Sequence, residues 1–469
     1  MAYRDSYEHF CNSLWDIVKW PIDETPPSAG RITDSILQYK EAISKDAADE
    51  NSKLSVTRQQ WTESLAVASS FADPGFSWTT VDMREQANEC ITAIAAHMDI
   101  DPVTLPIDGT TFRSIYMSFV RPYFVSKSRS STIGQQSTQH QKQQQQQQHD
   151  YVLMDAGASG SGNSGSAYKD SSQSDDARWR KNPQCIATFS WALDHLCDDA
   201  IAETISSILP VMLALVEDYE CHAKLWGLRI VTKLLSRKGW TNFLRKSGIV
   251  GAIDKSVYAC LLYRSDSKDI AADLLASAFE AAVACAHILH DIPQKSTYAQ
   301  GWWQLVDKVV ANEIYVSDNV AASAVLYTQI GVLCGPLGCA IARYLRPLVG
   351  ILAQGLRSPV YLSQDICDLH LTIVHQLLVL IDACPQRMHV YGAEIVAALA
   401  YSWASTKHKM ESIASVDELQ QGIVCVVRKL VKICPEETRT CIDRLHRSRP
   451  GVFAQWIQEA SSTEPANTI

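Results

Sequence analysis

From about residue 180 to 460, apolar residues recur three and four positions apart in one segment after another, the spacing of helices that each bury one face. The segments run roughly 15–25 residues each. Short turns holding Gly, Pro, Asp or Ser divide them. AIAETISSILPVMLALVED, HAKLWGLRIVTKLLSR, KDIAADLLASAFEAAVACAHILH and LSQDICDLHLTIVHQLLVLIDAC show the pattern most clearly. The period-two alternation and hairpin signals of strands are missing from this reach. Taken as antiparallel pairs, the segments repeat roughly every 40–50 residues, the period of a HEAT- or armadillo-like α-solenoid. The expected fold is therefore all-α, with the solenoid over 179–460 and a flexible tail over 461–469.

The stretch 215-LVEDYECHAKLWGLRIVTKLL-235 sharpens that reading. On a helical wheel Leu225, Leu228, Val231 and Leu235 make one apolar face, and Trp226, Ile230 and Leu234 make another. Arg229 and Lys233 leave only a narrow wet edge. A helix with neighbours on two or three sides reads this way. Gly227 costs about 1 kcal/mol relative to Ala in a helix, which close approach of a neighbouring helix would offset. Upstream, Pro210 bends or starts the first helix of the pair, and Asp218 falls in the turn, able to cap the second helix or the turn. Lys224 lies six residues on, placed to meet acidic or carbonyl groups of an adjacent repeat. A second proline, Pro347, holds a comparable place in YLRPLVGILAQGL.

Residues 1–125 read as a separate, less regular helical region. YRDSYEHFCNSLWDIVKW, TDSILQYKEAISKDA, TRQQWTESLAVASSFA and MREQANECITAIAAHM are amphipathic, and TFRSIYMSFVRPYF closes the region. Trp15, Trp20, Trp61 and Trp78 are expected core anchors. Residues 126–178 are rich in Gln, then in Gly, Ser and Asp, and bury too little apolar surface to offset ordering entropy, so disorder is expected there. Val152, Leu153 and Met154 form its one apolar island.

Charge narrows the function classes. The net charge is −9, and residues 1–125 hold 10 basic against 18 acidic side chains, so nothing marks a chain built to bind nucleic acid. Arg4, Asp5 and Glu8 stand where a signal peptide needs apolar residues. The longest uncharged run, 320-VAASAVLYTQIGVLCGPLGCAIA-342, is long enough for a membrane span. Its Thr328-Gln329 and the breaker at 335–338 argue instead for two buried helices meeting at a turn. The 14 cysteines are scattered without CxxC pairs and sit mostly in apolar helical contexts, as small core side chains of a reducing compartment. Cytoplasm and nucleus are the expected locations.

Candidate chemistry is sparse. The sequence 198-DDAIAE-203 resembles the aspartate-rich magnesium motif of all-helical terpene cyclases, but the second metal motif would fall on Asp318, Asn319, Ser323 and Tyr327, where a phenol stands in place of a carboxylate. Asp198 and Asp199 read better as an acidic cap for the helix that follows. His287 and His290 lie on one helix beside Asp291 and suit an exposed helix end. His370 and His375 flank an apolar run and suit a core or interface position. Trp302 and Trp303 suit packing anchors. No phosphate-binding loop, zinc-protease motif or nucleophile elbow is present. Neither catalytic residues nor a cofactor or metal site is expected.

Residues 209–263 carry a family resemblance. Pro210, the acidic pair Glu217 and Asp218, then Lys224 and Gly227 and the apolar run through Leu235, are similar to the signature of the Tel-two-interacting protein two family. Ser247-Gly248-Ile249 and the helix Val257-Tyr258-Ala259-Cys260-Leu261 continue it. Two positions depart from the pattern: Glu217 stands for an aspartate, and Ile253 for an aromatic. The resemblance implies a non-enzymatic scaffold, the small HEAT-like subunit of the TTT co-chaperone complex. The implied partners are the large HEAT-repeat subunit of TTT and, through it, the Tel-two subunit. The ninety-kilodalton heat-shock chaperone, RuvB-like ATPases and phosphatidylinositol-3-kinase-related kinases such as TOR and the checkpoint kinases follow indirectly, with the ASTRA assembly in some fungi. The alternative is another HEAT-type adaptor in transport or trafficking. Apolar content persists through about 360–460 without a polar capping helix, so the partner surface is expected there, with Phe453 and Trp456 read either as its anchors or, equally, as core packing.

Overall fold

The computed structural model describes residues 58–76, 78–98, 100–124, 178–262, 270–290, 298–360, 363–406, 415–449, 451–453, 456 and 458. The expected helices over 3–20 and 33–47, with Trp15 and Trp20, lie outside these residues, as do the insert apart from Arg178 and the tail 461–469. The chain forms two units, one ending at Leu196 and the other beginning at Cys197.

In the first unit α1 (Arg58–Ser69) packs on α2 (Val81–His97), α3 (Gly109–Ile115) and α4 (Gln184–His195). Thr80 caps α2 by accepting the Met83 N–H, and Asp108 caps α3 by accepting the Thr111 N–H at 2.6 Å. From α3 the chain continues through a π-helical turn, Tyr116–Val120, into Arg121–Phe124. Leu65, Ile91, Ile94, Phe112 and Phe189 fill the core together with Trp61, while Trp78 is half-buried against Phe76. The α4 segment looks like a first repeat by its pattern, yet it belongs to this unit. Every residue from Gln184 to Leu193 is buried. Its polar side chains find partners here: the Thr188 hydroxyl donates to the Ala66 carbonyl at 2.9 Å, and that of Ser190 to the Asp73 carboxylate at 2.7 Å. A buried hydroxyl needs such an acceptor, which fixes where the helix docks.

The second unit is built from α5 (Ile201–Val216), α6 (Cys221–Ser236), α7 (Thr241–Ser247), α8 (Ile249–Cys260), α9 (Ala271–His290), α10 (Tyr298–Val316), α11 (Val320–Leu337), α12 (Leu345–Gly355), α13 (Gln364–Ala383), α14 (Met388–Ser405), α15 (Val416–Ile433) and α16 (Pro435–Ser448). Helices α6, α9, α11, α13 and α15 form one layer, each packed on the next, and α5, α8, α10, α12 and α14 pair with them from the other layer. The first-named layer begins its helices at residues 221, 271, 320, 364 and 416, so the repeat is 44–52 residues. This is the expected all-α stack of HEAT-like pairs. Hydrogen bonds one repeat apart bind it: Asn312 to the Leu261 carbonyl at 2.7 Å, Ser256 to Glu217 at 2.6 Å, and Lys429 to Asp382.

Being touched by a pair partner and by two neighbours in its own layer explains why helices here carry so little polar surface. Among the described residues four stretches, Asp198–Val216, Ala271–His290, Val320–Gly355 and Gln364–Ala383, are long and apolar enough by length and composition to cross a membrane, and 39–50% of the apolar 18-residue window in each is buried inside the fold. The uncharged run 320–342 does make two helices, but α11 continues through Gly335 and Pro336 and stops at Leu337. The break falls at Gly338, whose φ of +50° is a conformation that glycine alone adopts cheaply.

At the C-terminal end the structure corrects one expectation. A polar capping helix is present: α16 covers α14 and α15 and buries only Thr438. Its few apolar residues, Ile442 and Leu445 among them, are half-buried beneath an acidic first turn and a basic last turn. The helix PEETRTCIDRLHRS is polar along most of its length, with Cys441, Ile442 and Leu445 as its apolar side chains besides Pro435, so the apolar run ends at Cys434.

Candidate functional site

The signature residues meet at the first pair of the solenoid. Pro210 lies inside α5, and Gly227 faces the end of that helix from α6. A Cβ on Gly227 would stand 2.7 Å from the Val216 nitrogen and 2.9 Å from the Leu215 Cβ, so the glycine sets how closely the two helices approach. The Asp218 carboxylate accepts the Glu220 N–H at 2.8 Å and shapes the turn. Lys224 donates to the Val216 carbonyl at 3.1 Å, within its own pair and not across to the next. The last carbonyls of α5 have no intrahelical partner, and a lysine one turn into the returning helix is the nearest donor to them. Glu217 and Cys260 make the link to the second pair, through Ser256 Oγ to Glu217 and Cys260 Sγ to the Val216 carbonyl at 3.5 Å. Gly248, with φ of +72°, joins α7 to α8. The signature is thus one packed joint between two helix pairs.

The candidate metal ligands are used elsewhere. Asp198 pairs with Arg237 at 3.0 Å, and that guanidinium lies 4.3 Å above the Trp240 ring. Asp198 and Asp199 open the short 3-10 turn that leads into α5, an acidic N-terminal position as expected. Asn319 caps α11 by accepting the Ala322 N–H at 3.0 Å, and Ser323 donates to the Val316 carbonyl at 3.0 Å. His287 meets the edge of Trp302, which is fully buried, and Trp303 lies 5.1 Å from the Arg343 guanidinium. His290 is half-buried and His375 exposed. His370 is completely buried, with Nδ1 2.8 Å from the Ser402 hydroxyl, and burial pulls its pKa down to about 4. Burial likewise pushes Cys367 up to about 11 and Cys334 up to about 12, which suits packing thiols and not nucleophiles. Among the described residues no three His, Cys, Asp or Glu side chains gather as metal ligands. One concavity in the first unit, lined by Val67, Phe119, Tyr123 and Cys185, holds about 10 Å³, room for roughly one water.

Phe453 and Trp456 lie within the fold. Trp456 is 1% exposed and stacks on Trp403 with ring centroids 6.0 Å apart, and Phe453 tilts against it at 5.6 Å. The Trp403 indole donates to the Val452 carbonyl at 3.1 Å, tying the segment down. Exposed apolar side chains lie elsewhere: among them Tyr219, Leu262, Ile314 and Tyr315 near the ends of α5, α8 and α10, and Val379, Val390 and Tyr401 on α13 and α14, within the expected 360–460 surface. Sequence reading passes over them because a periodic pattern shows which face is apolar but not where a helix outruns its neighbours.

Among solved structures the chain is similar to Kap121p bound to RanGTP, with a TM-score of 0.53 at 11% identity, covering 99% of this chain and 37% of that one. It is similar also to Kap121p bound to Pho4p, with a TM-score of 0.50 at 11% identity, covering 100% of this chain and 37% of that one. At that identity the likeness is one of fold, a karyopherin-type HEAT solenoid, and this chain spans little more than a third of that protein's length. No curated protein sequence matches the chain. The model of the Tti2 family matches residues 64–363.

Proposed function

The chain belongs to the Tti2 family, and from that premise we propose that it is a non-enzymatic scaffold subunit of the TTT co-chaperone complex. In this reading it binds the large HEAT-repeat subunit and, through it, the Tel-two subunit. With the ninety-kilodalton heat-shock chaperone and RuvB-like ATPases, the assembly supports maturation of phosphatidylinositol-3-kinase-related kinases, TOR and the checkpoint kinases among them, in cytoplasm and nucleus. The observation that carries the reading is the family match over residues 64–363, which takes in the first unit from Ser64 onward and the solenoid as far as the start of α13. Chemistry of the side chains supports it as well. Asp198 is ion-paired, Asn319 caps α11, Ser323 bonds a carbonyl and His370 is buried on Ser402.

The test is depletion of the chain in cells together with affinity purification of its tagged, full-length form. We expect the large HEAT-repeat subunit in the purified material and a several-fold fall in kinase abundance after depletion. Unchanged kinase levels, with partners drawn from nuclear transport instead, would favour a transport adaptor.

A further inference from the structure

We propose that Cys339 and Cys384 are a peroxide-reactive thiol pair, a modification site at which an exposed cysteine is oxidised and a buried one closes a disulfide with it. Accessibility singles out the first. Among the described residues Cys339 is the exposed cysteine, the others being buried or half-buried. Packing accounts for a buried thiol but gives no reason for one that stands in water. Cys339 follows Gly338 in the 3-10 segment Gly338–Tyr344, between the break that ends α11 and the start of α12. The stack brings the second thiol alongside. Cys384 stands at the C-terminal end of α13, is 2% exposed, and its Sγ lies 3.8 Å from the Cys339 carbonyl oxygen. A disulfide holds its two Cβ atoms about 3.8 Å apart, and a carbonyl oxygen sits about 3 Å from the Cβ of its own residue. A sulfur in contact with that oxygen is within the span that turning the Cys339 side chain closes. The thiols also sense each other. Burial first, and then the Cys339 thiol, raise the Cys384 pKa, while the Ala342 N–H favours its thiolate. Cys334, buried on α11, is pushed up to about 12 by burial and then by Cys384. No three ligand side chains gather as a metal site among the described residues, so the pair is read as redox-active and not as metal-binding.

The oxidant is a hydroperoxide. The Cys339 sulfur attacks it: an S–O bond forms, the O–O bond breaks, and the leaving hydroxide takes up the thiol proton as water, which leaves a sulfenic acid. The Cys384 sulfur then attacks the Cys339 sulfur. An S–S bond forms, the S–O bond breaks, and the departing hydroxyl carries off the Cys384 proton as a second water. The two thiols together give up two electrons, and one peroxide is reduced to two waters. A buried, protonated thiol is inert toward solutes, so Cys384 reacts with the partner held beside it and not with free peroxide. The bridge closes a loop of roughly 45 residues, long enough to constrain the unfolded chain. It fastens the link between α11 and α12 to the end of α13.

The test takes the full-length chain as wild type, C339S and C384A, fully reduced and then exposed to a few equivalents of hydrogen peroxide. Digestion without reductant and mass spectrometry are expected to find a linked Cys339–Cys384 peptide in the wild type, lost on adding dithiothreitol. The unfolding midpoint of the oxidised wild type should lie several degrees above that of the reduced chain. In C384A, Cys339 is expected to stop at the sulfenic acid and take the label dimedone. In C339S, Cys384 should stay reduced and the midpoint should not move. Absence of the Cys339–Cys384 peptide, a Cys334–Cys384 link in its place, or a midpoint lowered by oxidation overturns the pair. So does oxidation of Cys384 in C339S as fast as in the wild type, or a folded C384A that takes no dimedone. C339S alters only an exposed side chain, so the wild type and this variant decide the outcome without C384A if the buried substitution prevents folding.

Discussion

Gly227 shows how much one missing methyl group settles. The atoms that a Cβ would strike include the backbone nitrogen of Val216, which cannot swing aside as a side chain does. Gly227→Ala gains about 1 kcal/mol of helix propensity but adds strain of about 1–3 kcal/mol. We expect a net loss of up to about 2 kcal/mol in urea unfolding; a stabilised variant would show that the helices are free to separate. His370 makes a second prediction at this scale. Its folded pKa near 4 lies below that of an exposed histidine, so at pH 7 both states are neutral and nothing is lost. As pH falls from about 6.5 toward 4 the unfolded chain takes up a proton that the folded one refuses, and stability drops. Between pH 7 and pH 5 this amounts to about 2 kcal/mol. His370→Gln is expected to flatten that part of the pH profile, and an unchanged slope would refute the assignment.

At the scale of elements, side chains that span repeats do what the apolar layers leave undone. Asn312 is fully buried and donates to the Leu261 carbonyl at 2.7 Å and to the Lys308 carbonyl at 2.9 Å. Asn312→Leu removes both bonds and strands a buried carbonyl, so a loss of about 2 kcal/mol is expected, read by unfolding and by faster hydrogen exchange at the start of α9. Within the first pair the amphipathic pattern was enough to place α5, α6 and their turn, and to mark Pro210, Asp218, Lys224 and Gly227. The pattern did not show that Lys224 would serve its own pair. A lysine reaches carbonyls in several directions, and only the finished packing says which of them lack a partner. Similarly, α4 has the periodicity of a repeat helix, but its two hydroxyls find their acceptors in α1 and the loop after it.

Over the whole molecule, the second unit is quasi-one-dimensional, each pair touching chiefly its neighbours, so damage at one end should stay there. Trp456→Ala empties a site closed by Trp403 and Phe453 and is expected to cost about 3–5 kcal/mol locally. Hydrogen exchange should then quicken in α14 to α16 while α5 to α9 keep their protection. Uniform loss of protection throughout would refute the nearest-neighbour picture. The same experiment bears on partner binding. A complex that survives this substitution locates the working surface away from the C-terminal aromatics.

What the sequence determined by itself was the repeat: apolar spacing of 3.6 fixes helices, their lengths and breakers fix pairs, and the two-sided apolar faces demand a stack. The joint at 209–263 was legible because glycine, proline and a turn aspartate act through local backbone geometry. Tertiary structure alone decided which apolar side chains remain outside. Trp456 and Tyr219 are both aromatic residues near helix ends, yet one is sealed under Trp403 and the other stands in water. Burial depends on what the rest of the chain brings alongside, and a linear pattern holds no record of that.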